Sequence, residues 1–400
     1  MSWGSGTCLK PARPTRTEGA IRIALKLMMG NEAVVHGALA AGCDFYAGYP
    51  ITPATEIMEG MARWLPDRGG VFLQMEDELA AMAAVIGAAW GGATAMTATS
   101  GPGFSLMQEH IGYAAMTQTP CVVVDSQRGG PSTGLPTLPG QADVMQARYG
   151  SHGDRPAIVL TASSVKGSYD VMVKAFRLAQ RHRLPVVVLL DAVIAHMREP
   201  VDLPELSPPV PARFPTRSEA DPSFGNVPFV PFGEGPPTVV TGLSHGTDGL
   251  PRAGSGRETE RIIREAGDRL LADPELSDGV RGWELDDAEV AIIAYGITAR
   301  GAREAVQLLR HRGVKVGLLA LDVLWPFPTK ALIRLADQVR LLLVAELNLG
   351  QMIMPVEAAV AGRVPVLWQG RADGTLLAPE EMRDVLLAHI PVSEGGVIHA

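Results

Sequence analysis

The chain has 400 residues, 46% of them hydrophobic and 20% charged, with a formal net charge of −8 at pH 7. That length predicts two domains of roughly 150–200 residues with sizeable cores. No basic excess is available to neutralise phosphates, which excludes a general nucleic-acid binder.

The chain opens with "MSWGSGTCLKPARPTRTEG", which is basic and lacks an apolar h-region. It reads as a loose arm, residues 1–27, rather than a signal peptide. No run reaches about 18 apolar residues, so no membrane span is expected. Cys8, Cys43 and Cys121 form no C-x-x-C pair, so the chain is expected to hold neither an iron–sulfur cluster nor a structural zinc. Sparse cysteines suit a reducing cytoplasm.

From Gly30 to about Met197, helical patterns at 32–41, 53–65, 78–90, 104–116 and 165–181 alternate with the apolar runs "FYAGY", "VFLQM", "TAMTATS", "CVVVDSQ", "AIVLTA" and "PVVVLLD". Continuous β-branched runs between helices predict a doubly wound parallel sheet covered on both faces. Residues 200–237 then carry eleven prolines, too many for a helix or a central strand, and read as an extended linker. A charged helical stretch at 257–271 follows as an insertion. From Ala288 a second alternation, including "KVGLLALDVL", "VRLLLVAEL" and a last helix at 379–389, predicts a smaller α/β domain.

Four stretches of the first domain could carry chemistry. In "YPITPATE", Thr52 and Pro53 read as N-cap and N1 of a helix. Capping alone explains that pair, but its place at a strand's carboxyl end also suits an anionic ligand. In "QMEDELAAMAAVIGAAWGGA", three acids open a helix too apolar to face water. Acids in a first turn are ordinary dipole partners, yet one at such a mouth is expected to be partly desolvated. In "TATSGPGFSL", the glycines after Ser100 allow close backbone approach to a ligand, or simply a tight turn. In "DSQRGGPSTGLPT", Arg128 follows a buried-looking strand and suits bidentate capture of a carboxylate, or a structural ion pair. His152 and His245 sit in Gly-rich loops and read more readily as bystanders than as proton carriers. Trp325 and its prolines suggest packing at a domain joint, and Glu346, Asn348 and Gln351 an interface.

Together, "GYPITPATE", "EDELAAMAAVIGAAWGGATAMTATSGPGFSLM", "VVVDSQRGGPSTGLPT" and "ELNLGQM" resemble the α subunit of 2-oxoacid:ferredoxin oxidoreductases of the 2-oxoglutarate type, from about Met28 to His389. The resemblance implies a thiamine diphosphate pyrimidine-binding domain over 28–199, a linker and helical insertion over 200–285, and a transketolase C-terminal-like domain over 286–392. It implies that Glu78 meets N1′ of the cofactor's aminopyrimidine, with Tyr49, Pro50, Ile51, Ser100 and Gly101 around the cofactor. It places Thr52 and Arg128 on the 2-oxoacid, with Ser132 and Thr133 in the substrate loop.

The G-D-G motif that holds Mg²⁺ and diphosphate in thiamine enzymes is missing here. The resemblance therefore implies half an active site and no metal on this chain. A β subunit brings Mg²⁺, the diphosphate site and a [4Fe–4S] cluster, in an α2β2 assembly. The implied reaction is coenzyme A-dependent oxidative decarboxylation of a 2-oxoacid with reduction of ferredoxin. The motif style favours 2-oxoglutarate, while pyruvate, branched-chain and aryl 2-oxoacids stay open. Two other readings use the same features: a β-type subunit of a lipoamide-linked 2-oxoacid dehydrogenase, and a non-catalytic α/β scaffold subunit.

Overall fold

The computed structural model describes residues 25–204, 231–233, 239–246 and 250–390. The first 24 residues of the expected arm and most of the proline-rich stretch lie outside them. Within the described residues the chain is mixed α/β, with two main sheets.

The larger sheet runs in the order Val323–Trp325, Ile158–Thr161, Pro185–Asp191, Cys121–Gly129, Ala95–Thr99, Phe45–Gly48, Val71–Gln74. Every neighbouring pair from Ile158–Thr161 to Val71–Gln74 is parallel. The central strand Cys121–Gly129 is buried along its whole length, as a parallel strand covered on both faces must be. Its alternate valines feed two different cores: Val123 faces the core that holds Phe104 and Trp90, Val122 and Val124 the core that holds Ile57 and Met61. Antiparallel strands Lys26–Met29 and Arg198–Val201 pair with each other and close the two ends of this unit.

The order of the strands determines where a ligand can sit. From Phe45–Gly48 the chain crosses outward to Val71–Gln74, then returns to Ala95–Thr99 on the other side of Phe45–Gly48. The loops leaving Phe45–Gly48 and Ala95–Thr99 therefore part in opposite directions. A crevice at such a switch point, outside the carboxyl ends of the strands, is the usual binding place in a doubly wound sheet.

The smaller sheet runs Val280–Trp283, Val316–Leu321, Val290–Ala294, Leu341–Glu346, Val366–Gly370, with only the first strand antiparallel. Three local expectations are corrected. The run "KVGLLALDVL" is not one strand. It leaves the small sheet at Asp322, whose backbone pairs with Gly279 and Thr161, and Val323–Trp325 joins the large sheet antiparallel to Ile158–Thr161. The helix expected over 104–116 is two helices, Gly101–Leu106 and Gln108–Met116, and the Gln108 side chain donates to the Phe104 carbonyl at the break. Thr52 is not an N-cap. Pro53 has no N–H, Ala54 N–H turns back to Ile51 O at 2.8 Å, and the helix begins at Thr55.

The charged insertion forms the helix Gly256–Ala272, and the residue after it, Asp273, docks on the helix Val165–His182. Asp273 accepts hydrogen bonds from Arg181 at 2.9 Å and His182 at 2.8 Å. Burial alone would raise its carboxyl, but these bonds hold it below the usual range.

One buried amide joins the two sheets. Gln141 is fully buried. Its Oε1 accepts from Thr298 Oγ1 and from the Leu347 N–H, both at 3.0 Å, and its Nε2 donates to Tyr295 O at 3.1 Å. Its backbone N–H donates to Leu347 O, and its carbonyl accepts from Tyr295 OH and Asn348 Nδ2. Asn348 and Gln351 thus do bridge the domains, Gln351 by bonds to Ala142 and Met145. Glu346 does not: it is fully buried and accepts from Met352 and Ile353 N–H and Trp368 Nε1 within its own domain. Trp325 is buried, and its indole donates to Val144 O. Replacing Gln141 by Ala strands several buried partners, and urea titration is expected to show a loss of about 3 kcal/mol.

Candidate active site

The helix Glu78–Trp90 begins as its sequence dictates. Asp77 is the N-cap, and its carboxylate accepts the Ala80 N–H at 2.7 Å. This separates the three acids. Asp77 caps, whereas Glu78, the first helical residue, is turned inward and is only 5% exposed. Ala81, Met82, Val85 and Ile86 bury the helix against the sheet. Leu79 points outward and is 41% exposed.

The Glu78 carboxyl lies across the mouth of the crevice, against the strand end and turn that follow Ala95–Thr99. Thr99 Oγ1 donates to Glu78 Oε1 at 3.4 Å, longer than a good O–H···O bond. Among the described residues this is the only side-chain hydrogen bond to that carboxyl. A Cβ on Gly103 would collide with both Glu78 Oε1 and Thr99 Oγ1, so the acid fits only because position 103 has no side chain. Gly103 is the site residue that sequence reasoning passed over, although it stood in a motif already singled out for its glycines.

Ser100 and Gly101, expected around the cofactor, form the turn that follows Ala95–Thr99. Ser100 is fully buried and its hydroxyl has no partner among the described residues. Gly101 has a φ of +23°, open to glycine but not to L side chains, and its N–H donates to Asp125 Oδ1 at 3.1 Å. The turn is thus tied to the neighbouring strand beneath it.

On the other wall, Arg128 ends the central strand and is 7% exposed. Its Nη1 donates to Thr52 O at 2.7 Å, while Nε has no partner among the described residues. Thr52, joined to Pro53 by a cis peptide bond, is exposed above it. The fold therefore brings together two sequence-predicted residues 76 positions apart. Tyr49 and Pro50 are exposed beside this turn and Ile51 packs on the core. Ser132 and Thr133 lie at the exposed tip of the hairpin formed by Cys121–Gly129 and Leu135–Pro139. No hydrogen bond joins either of them to Arg128 or Thr52 among the described residues.

The histidines stay apart from this crevice. His152 is exposed beside Glu109 at 3.4 Å. His245 is buried, and burial lowers its pKa. Among the described residues no group of three or more His, Cys, Asp and Glu side chains is arranged for a metal ion.

A doubly wound sheet docked to a second, smaller α/β domain gives the chain a transketolase-like fold. Residues 36–253 match the family model of pyruvate flavodoxin/ferredoxin oxidoreductase, thiamine diphosphate-binding, and residues 288–382 match the pyruvate:ferredoxin oxidoreductase core domain II. The chain is 46% identical over 374 residues to the 2-oxoglutarate synthase subunit KorA of Methanothermobacter marburgensis, covering 90% of this chain and 98% of that protein. A solved structure of 2-oxoglutarate:ferredoxin oxidoreductase from Magnetococcus marinus, with 2-oxoglutarate, coenzyme A and succinyl-CoA bound, superposes with a TM-score of 0.84. It is 33% identical, and the match covers 95% of this chain and 68% of that one. A split-gene transketolase, an inactive β4 tetramer, shares the fold at a TM-score of 0.55 and 14% identity, covering 90% of this chain and 97% of its own. The chain belongs to the 2-oxoacid:ferredoxin oxidoreductase family.

Gly103→Ala is expected to push the Glu78 carboxyl out of place while leaving the sheet intact. The assembled enzyme should then lose about 10²-fold or more in turnover, with little change in its circular dichroism.

Proposed function

We propose that this chain is the α subunit of a thiamine diphosphate-dependent enzyme that oxidatively decarboxylates 2-oxoglutarate to succinyl-CoA and CO₂, reducing ferredoxin. The observation that carries the reading is the Glu78 carboxyl. It is almost wholly shielded from water, stands at the switch point of the larger sheet, and has one weak hydrogen bond among the described residues. A buried carboxyl left so poorly paired is costly unless a bound group completes its hydrogen bonding. An aminopyrimidine nitrogen is such a group. The substrate assignment is supported by the names of the archaeal relative and of the Magnetococcus structure.

Thiamine diphosphate, when bound, supplies the carbon nucleophile and electron sink that a 2-oxoacid decarboxylation needs. The chain's own residues do the rest from this side. Glu78 would hold the aminopyrimidine ring at its N1′ nitrogen, keeping a proton at that carboxyl on a wall shielded from water. Arg128 presents its guanidinium to the substrate carboxylate, an interaction strengthened by burial. Its bond to Thr52 O holds the Ile51–Ala54 turn in place, and the Thr52 hydroxyl is assigned to the same substrate. Tyr49, Pro50, Ile51, Ser100 and Gly101 are assigned to the cofactor's surroundings, and Ser132 and Thr133, on the hairpin, to the substrate.

The rest of the site comes from a β subunit in an α2β2 assembly. It supplies Mg²⁺, the diphosphate site and a [4Fe–4S] cluster that passes electrons to ferredoxin, with coenzyme A as acyl acceptor. The apolar rim supports this division: Tyr49, Leu73, Leu79 and Leu106 are each 40% to 46% exposed around the mouth. No helix among the described residues is long and apolar enough to cross a membrane, and the assembly is assigned to the cytoplasm.

Co-expression with its β subunit is expected to give coenzyme A-dependent viologen reduction with 2-oxoglutarate above other 2-oxoacids; a strict requirement for lipoyl protein would reject the reading. In that assay Glu78→Gln should lower kcat by about 10²–10⁴-fold. Arg128→Gln should instead act mainly on the 2-oxoacid, raising its KM by about tenfold or more.

A further inference from the structure

A second cavity lies away from the crevice, between the helix Gln108–Met116 and the insertion helix Gly256–Ala272. Its volume is about 380 Å³, within the range of small-molecule sites. Tyr113 and Met116 line one side, Ile262 and Ile263 the other. The loop between the helix Val144–Tyr149 and the strand Ile158–Thr161 closes it and brings in Arg155. That strand starts at Ile158, level across the sheet with Val122, whereas Arg128 stands at the far end of the strand Cys121–Gly129. Arg155 and Arg128 are therefore about 20 Å or more apart, at opposite ends of the sheet.

Arg155 is only 8% exposed. Its Nε donates to Ser151 Oγ at 2.7 Å and its Nη2 to Ala147 O at 2.6 Å, both neutral acceptors. Among the described residues, Nη1 has no hydrogen bond and no carboxylate lies within ion-pairing distance of the guanidinium. Burial, then the nearby Arg148, push its pKa down to about 10, so it stays charged at neutral pH. A cation held out of water without a counter-charge is costly to the fold. A carboxylate offsets that cost best, because its two oxygens match the fork of a guanidinium.

We propose that this cavity binds a monocarboxylate with an apolar body, its carboxylate on Arg155 and its body between Tyr113, Met116, Ile262 and Ile263. The charged groups at the rim limit the ligand to one charge. Glu109 and Asp154 are exposed there, with His152 at 3.4 Å from Glu109. A second carboxylate would have to enter the apolar lining or stand against those acids, so a dicarboxylate such as 2-oxoglutarate is disfavoured. The helix Gly256–Ala272 supplies one whole wall, and it falls between the two stretches that the family models match, 36–253 and 288–382. The cavity thus depends on a segment that neither family model includes.

Calorimetric titration of the assembled enzyme with hexanoate tests this. Saturable binding is expected. Hexanol, which lacks the charge, should bind about tenfold more weakly or worse. Acetate, which lacks most of the apolar chain, should lose about 100-fold or more, and adipate, the dicarboxylate of equal length, about tenfold. Arg155→Gln should lower hexanoate affinity by about tenfold or more, whereas Arg128→Gln should leave it unchanged.

Hexanoate binding that is lost in Arg128→Gln and kept in Arg155→Gln would put the ligand in the crevice and overturn the proposal. No saturable heat up to about 10 mM hexanoate, or equal affinity for hexanol, overturns it as well. An adipate affinity equal to that of hexanoate overturns the limit to one charge. Should Arg155→Gln not assemble, the hexanol comparison on the wild-type enzyme and hexanoate binding to Arg128→Gln decide the question. None of these measurements depends on which 2-oxoacid the enzyme turns over.

Discussion

A single carboxyl held out of water organises this subunit. Glu78 is set by its own helix: Asp77 takes the capping role, so the next residue turns inward instead of serving the helix terminus. The opposing surface is shaped to receive it, with no side chain at Gly103 and a hydroxyl at Thr99. Removing a carboxyl from water costs several kcal/mol when its hydrogen bonding is incomplete. The fold carries that cost at the mouth of the crevice, where a second group can complete the bonding.

The rest of the molecule keeps that mouth rigid. The turn below it is tied to the central strand through the Gly101 N–H and Asp125, and the opposite wall through Arg128 and Thr52 O. The second domain is not a loosely tethered appendage. Gln141 bonds with both its amide ends to backbone or side chains of the smaller sheet's loops, and Val323–Trp325 leaves that sheet to extend the larger one. A chain that crosses between sheets in this way couples the two cores, so the crevice is built on one continuous support.

The polar groups divide by how completely they are satisfied. At the junction, Gln141, Asn348 and Glu346 have their bonds met within the chain, as buried structural polar groups do. Around the crevice, Ser100 Oγ, Arg128 Nε and the Oδ2 atoms of Asp125 and Asp143 have no partner among the described residues. The two sets have similar burial and similar chemistry. They differ in that the second faces the switch point of the sheet, where a bound group and a partner chain would supply what is missing.

Much of the fold was legible before any coordinates. The alternation of apolar β-branched runs with helices specified a parallel sheet, because only a strand covered on both faces reads as an unbroken hydrophobic run. The helix Glu78–Trp90 was legible as an apolar run opened by acids, while the capping role of Asp77 was seen only in the structure. The residue pattern also singled out Thr52 and Arg128 at strand ends, and the resemblance chose Glu78 among the three acids that open its helix. Sequence could not show that Arg128 donates to Thr52 across 76 positions, or that Gly103 rather than Gly101 makes room for the acid. Nor could it show that "KVGLLALDVL" divides between two sheets. Caps, turns and periodicity are written within a few neighbouring residues. Which distant groups share a crevice is decided only when strand order and crossover direction bring them together.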